Sequence, residues 1–283
     1  PGEQDSQVAF LHLTYDMGEA GTLSPIVAYH ANQEVDADLT YFGGTYVGNL
    51  GGVTIKGEAF GGLGSYDSDA VAQRRNDDIE IFGANLTFEM TVTDAFKPNL
   101  GLRYTSGDDD PNDDTLQGWL GITDISGFVK PMSSGMGTMR WGPNQNAAFS
   151  TPVVFGSTFE TSGPSGVDTN FGGIGNSGNG NNPGQIVIAP GFSGSITPRL
   201  SYMASLWFIW YDETGGLETL PGASDSVDSY AGTSLDTRLD YAVAENLTLS
   251  AGFSIIDPGD GVEDATGAND QAMTAITQAA WSF

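Results

Sequence analysis

The stretch Leu247-Thr248-Leu249-Ser250-Ala251-Gly252-Phe253-Ser254-Ile255 puts Leu, Leu, Ala, Phe and Ile on one face of an extended chain and Thr, Ser, Gly and Ser on the other. Such strict alternation marks a β-strand, because successive Cβ atoms of a pleated chain point to opposite sides. The closing segment repeats it more weakly, with Met273, Ala275, Thr277, Ala279, Trp281 and Phe283 facing Thr274, Gln278 and Ser282 across the backbone. The two segments, joined by an acidic loop, read as a hairpin with one apolar face.

Working outward, the same period recurs. Segment 7–17 sets Ala9, Leu11, Leu13 and Tyr15 against Phe10, His12, Thr14 and Asp16, and 23–32 sets Leu23, Pro25, Val27 and Tyr29 against Ser24, Ile26, Ala28 and His30. In 38–48, Leu39, Tyr41, Thr45 and Val47 are expected on the apolar face and Asp38, Thr40, Gly44 and Gly48 on the other. In 53–63, Lys56 and Glu58 lie opposite Val53, Ile55 and Ala59; in 79–90, Phe82, Ala84, Leu86, Phe88 and Met90 oppose Gly83, Asn85, Thr87 and Glu89. Leu100, Leu102 and Tyr104 oppose Asn99, Gly101, Arg103 and Thr105, and 185–196 carries Ile186, Ile188, Phe192 and Ile196 on one side. In 200–211, Leu200, Tyr202, Ala204, Leu206, Phe208 and Trp210 face away from Ser201, Met203, Ser205, Trp207 and Tyr211. In 235–243, Leu235, Thr237, Leu239, Tyr241 and Val243 alternate with Asp236, Arg238 and Asp240.

These segments make about eleven or twelve strands, and their links alternate short and long. Alternation with charges of both signs on the second face fits an all-β, antiparallel transmembrane barrel with a wet lumen, since charge is costly against lipid. A soluble β-sandwich or solenoid is the alternative, its apolar faces packed on another sheet. On the barrel reading residues 1–283 form a single outer-membrane domain. Tyr202 at one end of its strand, with Trp210 and Tyr211 at the other, reads as the two interfacial girdles.

Short links near 18–21, 49–52, 91–98, 197–199 and 244–246 are expected in the periplasm. Those near 33–37, 64–78, 106–183, 212–233 and 257–271 are expected outside. With Phe283 at the periplasmic end, the first strand runs inward from the outside. An even strand count then requires at least one more outward strand, so the chain reads as the C-terminal part of a larger barrel or the count is off by one. The longest excursion, 106–183, is an extracellular or lumen-folded loop, with 147–159 as a candidate constriction or extra hairpin.

Composition narrows the function. A net charge of −27 with nine Lys and Arg argues against nucleic acid as a partner and favours cations. No apolar run reaches the roughly 18 residues that a membrane helix needs. The first residues, Pro1-Gly2-Glu3-Gln4-Asp5, do not read as a signal peptide, so the chain is expected to be mature or to lack its true beginning. There is no cysteine for haem attachment. No nucleophile motif appears, and the Gly-rich run at 172–182 lacks the strand and helix of a phosphate cradle, so no enzyme is expected.

Candidate lumen and selectivity residues are Lys56, Glu58, Glu89, Arg103, Asp236, Arg238 and Asp240. The triplet 236, 238, 240 spaces three charges along one face, either as a filter or as a self-neutralising ladder that keeps the wall hydrated. Asp108, Asp109, Asp110, Asp113 and Asp114 are weak Ca²⁺ candidates whose spacing does not match an EF-hand; no other cofactor is expected. His12 and His30 fall on one face of neighbouring strands, either as a metal pair or as plain wall residues.

Three places resemble the alginate-export type of outer-membrane barrel, which is porin-like. They are Gly101-Leu102-Arg103-Tyr104-Thr105-Ser106-Gly107-Asp108-Asp109-Asp110-Pro111, the aromatic strand at 202–211, and Leu235-Asp236-Thr237-Arg238-Leu239-Asp240-Tyr241 with 247–256 and Asp257-Pro258-Gly259-Asp260. The resemblance implies a barrel of about eighteen strands in a Gram-negative outer membrane, and export of an anionic polysaccharide. Such an exporter should line its pore with Arg and Lys. Here the inward candidates are Lys56, Arg103 and Arg238, facing Asp16, Asp38, Glu58, Glu89, Asp236 and Asp240. The charge therefore points instead to a passive channel for ions or small solutes with an acidic, cation-favouring lumen. A non-conducting scaffold, or a sheath around a partner such as a cytochrome, is the further alternative; lipid of the outer membrane is the other expected partner.

Overall fold

The computed structural model describes residues 6–32, 37–67, 76–110, 113–119 and 183–281. They form a single sheet of thirteen strands. Eleven follow one another as an antiparallel meander: β1 (Ser6–His12), β3 (Thr22–Asn32), β4 (Ala37–Leu50), β5 (Val53–Asp67), β6 (Asn76–Met90), β7 (Lys97–Thr105), β9 (Gln185–Thr197), β10 (Leu200–Trp210), β11 (Tyr230–Ala244), β12 (Leu247–Pro258) and β13 (Ala272–Trp281). Two short strands lie off this path. β2 (Tyr15–Asp16) pairs with β3, and β8 (Thr115–Leu116) pairs in parallel with β6. The eleven alternating segments of the sequence are the eleven meander strands.

Because eleven strands alternate in direction, β1 and β13 run the same way, and they do not pair with each other among the described residues. Their order along the sheet keeps all short links at one end and all long links at the other. The tightest link is Asn49-Leu50-Gly51-Gly52, where Gly51 and Gly52 take φ of 61° and 87° and Asn49 Oδ1 accepts the Gly52 amide at 3.1 Å. Left-handed backbone of this kind is strained for residues with a Cβ, so the turn needs its glycines.

The faces follow the alternation nearly everywhere. Val27, Phe82, Ile188, Phe192, Leu239, Leu249 and Phe253 are each more than two-fifths exposed, while Ser24, Ile26, Thr87, Val187, Ser193, Asp236 and Ser254 on the opposite face are buried. An exposed apolar band of this extent is abnormal for a monomer in water and ordinary for a wall in lipid.

β4 departs from expectation. Leu39 and Tyr41 are buried on the inner face, opposite His30 and Ala28, while Phe42 is the outer residue, opposite Val27. Thr45 and Val47 share the inner face with them, and Asp38 and Thr40 point outward. Apolar residues occupy both parities of this strand, so periodicity alone could not orient it. Packing decides: the Trp119 ring meets Tyr41 edge-on at 6.2 Å.

The girdles need a similar adjustment. At the short-link end Phe96, Phe192 and Tyr202 are neighbours, and Tyr202 Oη donates to the Ala95 carbonyl at 2.7 Å. At the long-link end Phe208, Trp210 and Tyr230 adjoin one another. Tyr211 belongs to neither, since it is buried inside. The expected constriction at 147–159 and the terminal Phe283 lie outside the described residues.

Among the described residues the long links also carry two short helices that the sequence pattern did not announce, α1 (Gly215–Glu218) and α2 (Asp260–Thr266). Asp264 ties α2 to the loop before it, accepting from Ser224 Oγ and from the Asp228 amide.

Candidate functional site

The inner wall divides along its length. Toward the long links it is apolar: Leu39, Tyr41, Ile79, Ile81, Trp207 and Ile209 cluster with Leu116 and Trp119 from the excursion after β7, with Leu217 of α1 and with Val262 and Ala265 of α2. The start of the long excursion therefore folds against the wall. Ser106 fixes it there, its amide donating to Phe82 O, its Oγ donating to Gln117 O at 2.6 Å and its carbonyl accepting the Trp119 amide at 2.8 Å. Asp212 braces the other side, with Oδ2 accepting from Tyr104 Oη and from the Gly107 amide.

Nearer the short links the wall is charged. One group crosses β5, β6 and β7, where register places Glu58 opposite Asn85 and Asn85 opposite Arg103. Asn85 Nδ2 donates to Glu58 Oε1 at 3.3 Å, and Glu58 and Arg103 attract each other electrostatically. Lys56 lies one inward step along, opposite Val47 and Thr87, and Glu89 lies opposite Thr54 and Asn99.

The second group sits on β11 and β12. Arg238 Nε and Nη2 both approach Asp240 Oδ1 at 2.7 Å, and Ser250 Oγ receives from Arg238 Nη2 while donating to the same carboxylate. One step further, Asp236 accepts from Ser254 and Ser234. The three charges are thus split: 238 and 240 neutralise one another, whereas Asp236 is held by the hydroxyls of Ser254 and Ser234 and by the Trp207 indole. Sequence reasoning named every charged member but missed Asn85, Ser234, Ser250 and Ser254. Their signal is present in the alternation, but their pairing depends on register, which the sequence does not state.

The remaining candidates do not assemble. His12 faces Ile26, so along the shared ladder it is four residues from His30, roughly 13 Å at the rise of a strand. In the acidic run, Asp108 is buried with Oδ2 accepting the Gln117 amide, Asp113 caps Thr115, and Asp109, Asp110 and Asp114 are exposed. Among the described residues no three His, Cys, Asp or Glu side chains converge as a metal site. Burial raises the Asp108 carboxyl to about 6, helped by the charges of Asp113 and Asp109 and opposed by backbone amides.

No family model matches the sequence, and no curated protein matches it. Solved structures do. The outer membrane protein OpdK from Pseudomonas aeruginosa aligns with a TM-score of 0.53 at 12% identity, over 99% of this chain and 60% of that one. A BenF-like porin from Pseudomonas fluorescens Pf-5 gives 0.49 at 11% identity, over 97% and 55%. The NanC porin gives 0.41 at 8% identity, over 98% and 94%. The fold is that of an outer-membrane β-barrel, and the chain spans about three-fifths of the length of OpdK. The likeness supports the porin-like resemblance in its general form and does not single out the alginate-export type.

Proposed function

We propose that the chain is wall of a passive outer-membrane channel in a Gram-negative bacterium, passing ions or small solutes through an acidic, cation-favouring lumen. The supporting observation is the segregation of the two faces: an exposed apolar outer band against an inner face bearing Lys56, Glu58, Glu89, Arg103, Asp236, Arg238 and Asp240. With Asp16, with Asp38 moved to the outer face, and with Lys97 placed inside by its register opposite Ser193, five inner acids stand against four inner bases among the described strand residues. Arg238 and Asp240 cancel each other, which leaves the excess of inner acids unchanged. A polysaccharide exporter would need an excess of inner bases, so that alternative is the less supported one.

The apolar cluster at the long-link end favours a second reading, a non-conducting barrel that serves as a scaffold or sheath for a partner protein. Planar-bilayer recording of the membrane-extracted protein under a KCl gradient separates the two. A reversal potential of cation-selective sign supports the channel. An anion-selective sign removes the selectivity, and insertion without conductance leaves the scaffold. The intact mass of the same preparation tells whether these strands are the whole wall or share it with others.

A further inference from the structure

On the outer face, where β5, β6 and β7 reach the long links, lies a groove of about 420 Å³. Its floor is apolar. Phe42, Leu63 and Phe82 are each roughly half exposed there, and the Tyr104 ring lies 6.0 Å from that of Phe82. Gly61 keeps the floor open, because a Cβ at that position would meet the Phe42 ring at 2.8 Å. Its upper edge is acidic, with Glu80, Asp109, Asp212 and Glu213, and among the described residues no Lys, Arg or His lines it. The Tyr104 hydroxyl, donating to Asp212 at 2.9 Å, joins the aromatic floor to that edge.

The geometry points to a binding site for a cationic amphiphile, its alkyl part on the aromatic floor and its ammonium-type head against the carboxylates. Charge complementarity selects the head: four acids with no base among the described lining residues repel an anionic headgroup, and the ring faces below them attract a cation further. The floor selects the tail, since it opens on the lipid-facing side of the wall. Glu213 is consistent with an unmet charge at this edge. Its carboxyl lies above the usual range, through partial burial first and the charges of Asp212 and Asp109 next.

The inference rests on the membrane-barrel reading but not on conduction. A silent barrel that binds leaves it standing, and a conducting barrel that does not bind overturns it alone. The test is titration calorimetry on the full chain in maltoside micelles with decyltrimethylammonium, decyl sulfate and tetramethylammonium. A saturable component is expected with decyltrimethylammonium only. The exposed pair E80Q/E213Q should weaken it about tenfold, and F82A about fivefold, each checked for folding by heat-modifiable gel migration. Equal saturable binding of decyl sulfate, tetramethylammonium binding as tightly as the long-chain cation, or unchanged affinity in folded E80Q/E213Q and F82A would overturn the site.

Discussion

The two halves of the inner wall alternate with the same period, yet one is built from Leu39, Tyr41, Ile79, Ile81 and Ile209 and the other from Lys56, Glu58, Arg103, Arg238 and Asp240. The first half is covered by returning loops and the second is not, among the described residues. The difference teaches that an inner face need not be polar. Where a loop returns to pack on it, burial of apolar side chains stabilises the contact by about 25 cal/mol per Å², and the wall behaves as a protein core. Where nothing returns, charges must neutralise one another or face water.

The strongest way to break this contrast is to empty the apolar half. Trp119→Ala should cost about 3–5 kcal/mol through a cavity beside Tyr41, read as a lowered midpoint in denaturant unfolding from liposomes. In bilayers the same variant should raise conductance if the packed loop narrows the pore. A variant as stable as the parent would show that the cluster does not behave as a core.

The charged half should respond less in stability and more in selectivity. Arg238→Ala leaves Asp240 beside Ser250 without its guanidinium and should cost about 1–3 kcal/mol. It should also strengthen cation preference in reversal-potential measurements. A shift toward anions would contradict the sign assigned to the lumen.

The covering loop itself should be sensitive to pH through Asp108. Its folded pKa of about 6 lies above the ordinary carboxylate value, so the folded state holds the proton more tightly than the unfolded chain. Stability from this group is therefore full below about pH 4 and is lost as pH rises through about 6, by about 1–2 kcal/mol after allowing for screening. Hydrogen exchange of 106–119 should show protection falling across that window in the parent and staying flat in Asp108→Asn.

The smallest effect sharpens the corrected orientation of β4. Asp38→Asn should change stability by less than about 0.5 kcal/mol and leave selectivity unmoved, because Asp38 faces outward and bonds only Ser65 among the described side chains. Glu58→Gln on the inner face should shift selectivity in the same recording. Equal shifts from the two would return Asp38 to the lumen.

Much of this wall could be read from residues alone, for a physical reason. A strand with lipid on one side and lumen on the other obeys a period of two whatever its neighbours do, so ten of the eleven strands declare both their existence and their faces. β4 does not, since Leu39, Tyr41, Phe42, Tyr46 and Val47 place apolar side chains on both parities. Its orientation follows from pairing Phe42 with Val27 and Tyr41 with Ala28, and from contact with Trp119 far along the chain. The lumen charges were equally visible as residues, but their partners were not. Alternation fixes which side of the sheet a side chain takes; only register fixes what it meets. The sequence by itself thus determined the strands, the link lengths and most of the inner charges, Asp38 and Lys97 excepted. Tertiary structure alone decided that Asp240 is neutralised by Arg238 while Asp236 is held by Ser234, Ser254 and Trp207, that the long links fold back as an apolar lining, and that Phe42, Phe82 and Tyr104 share one groove, because each depends on contacts between segments that no local pattern encodes.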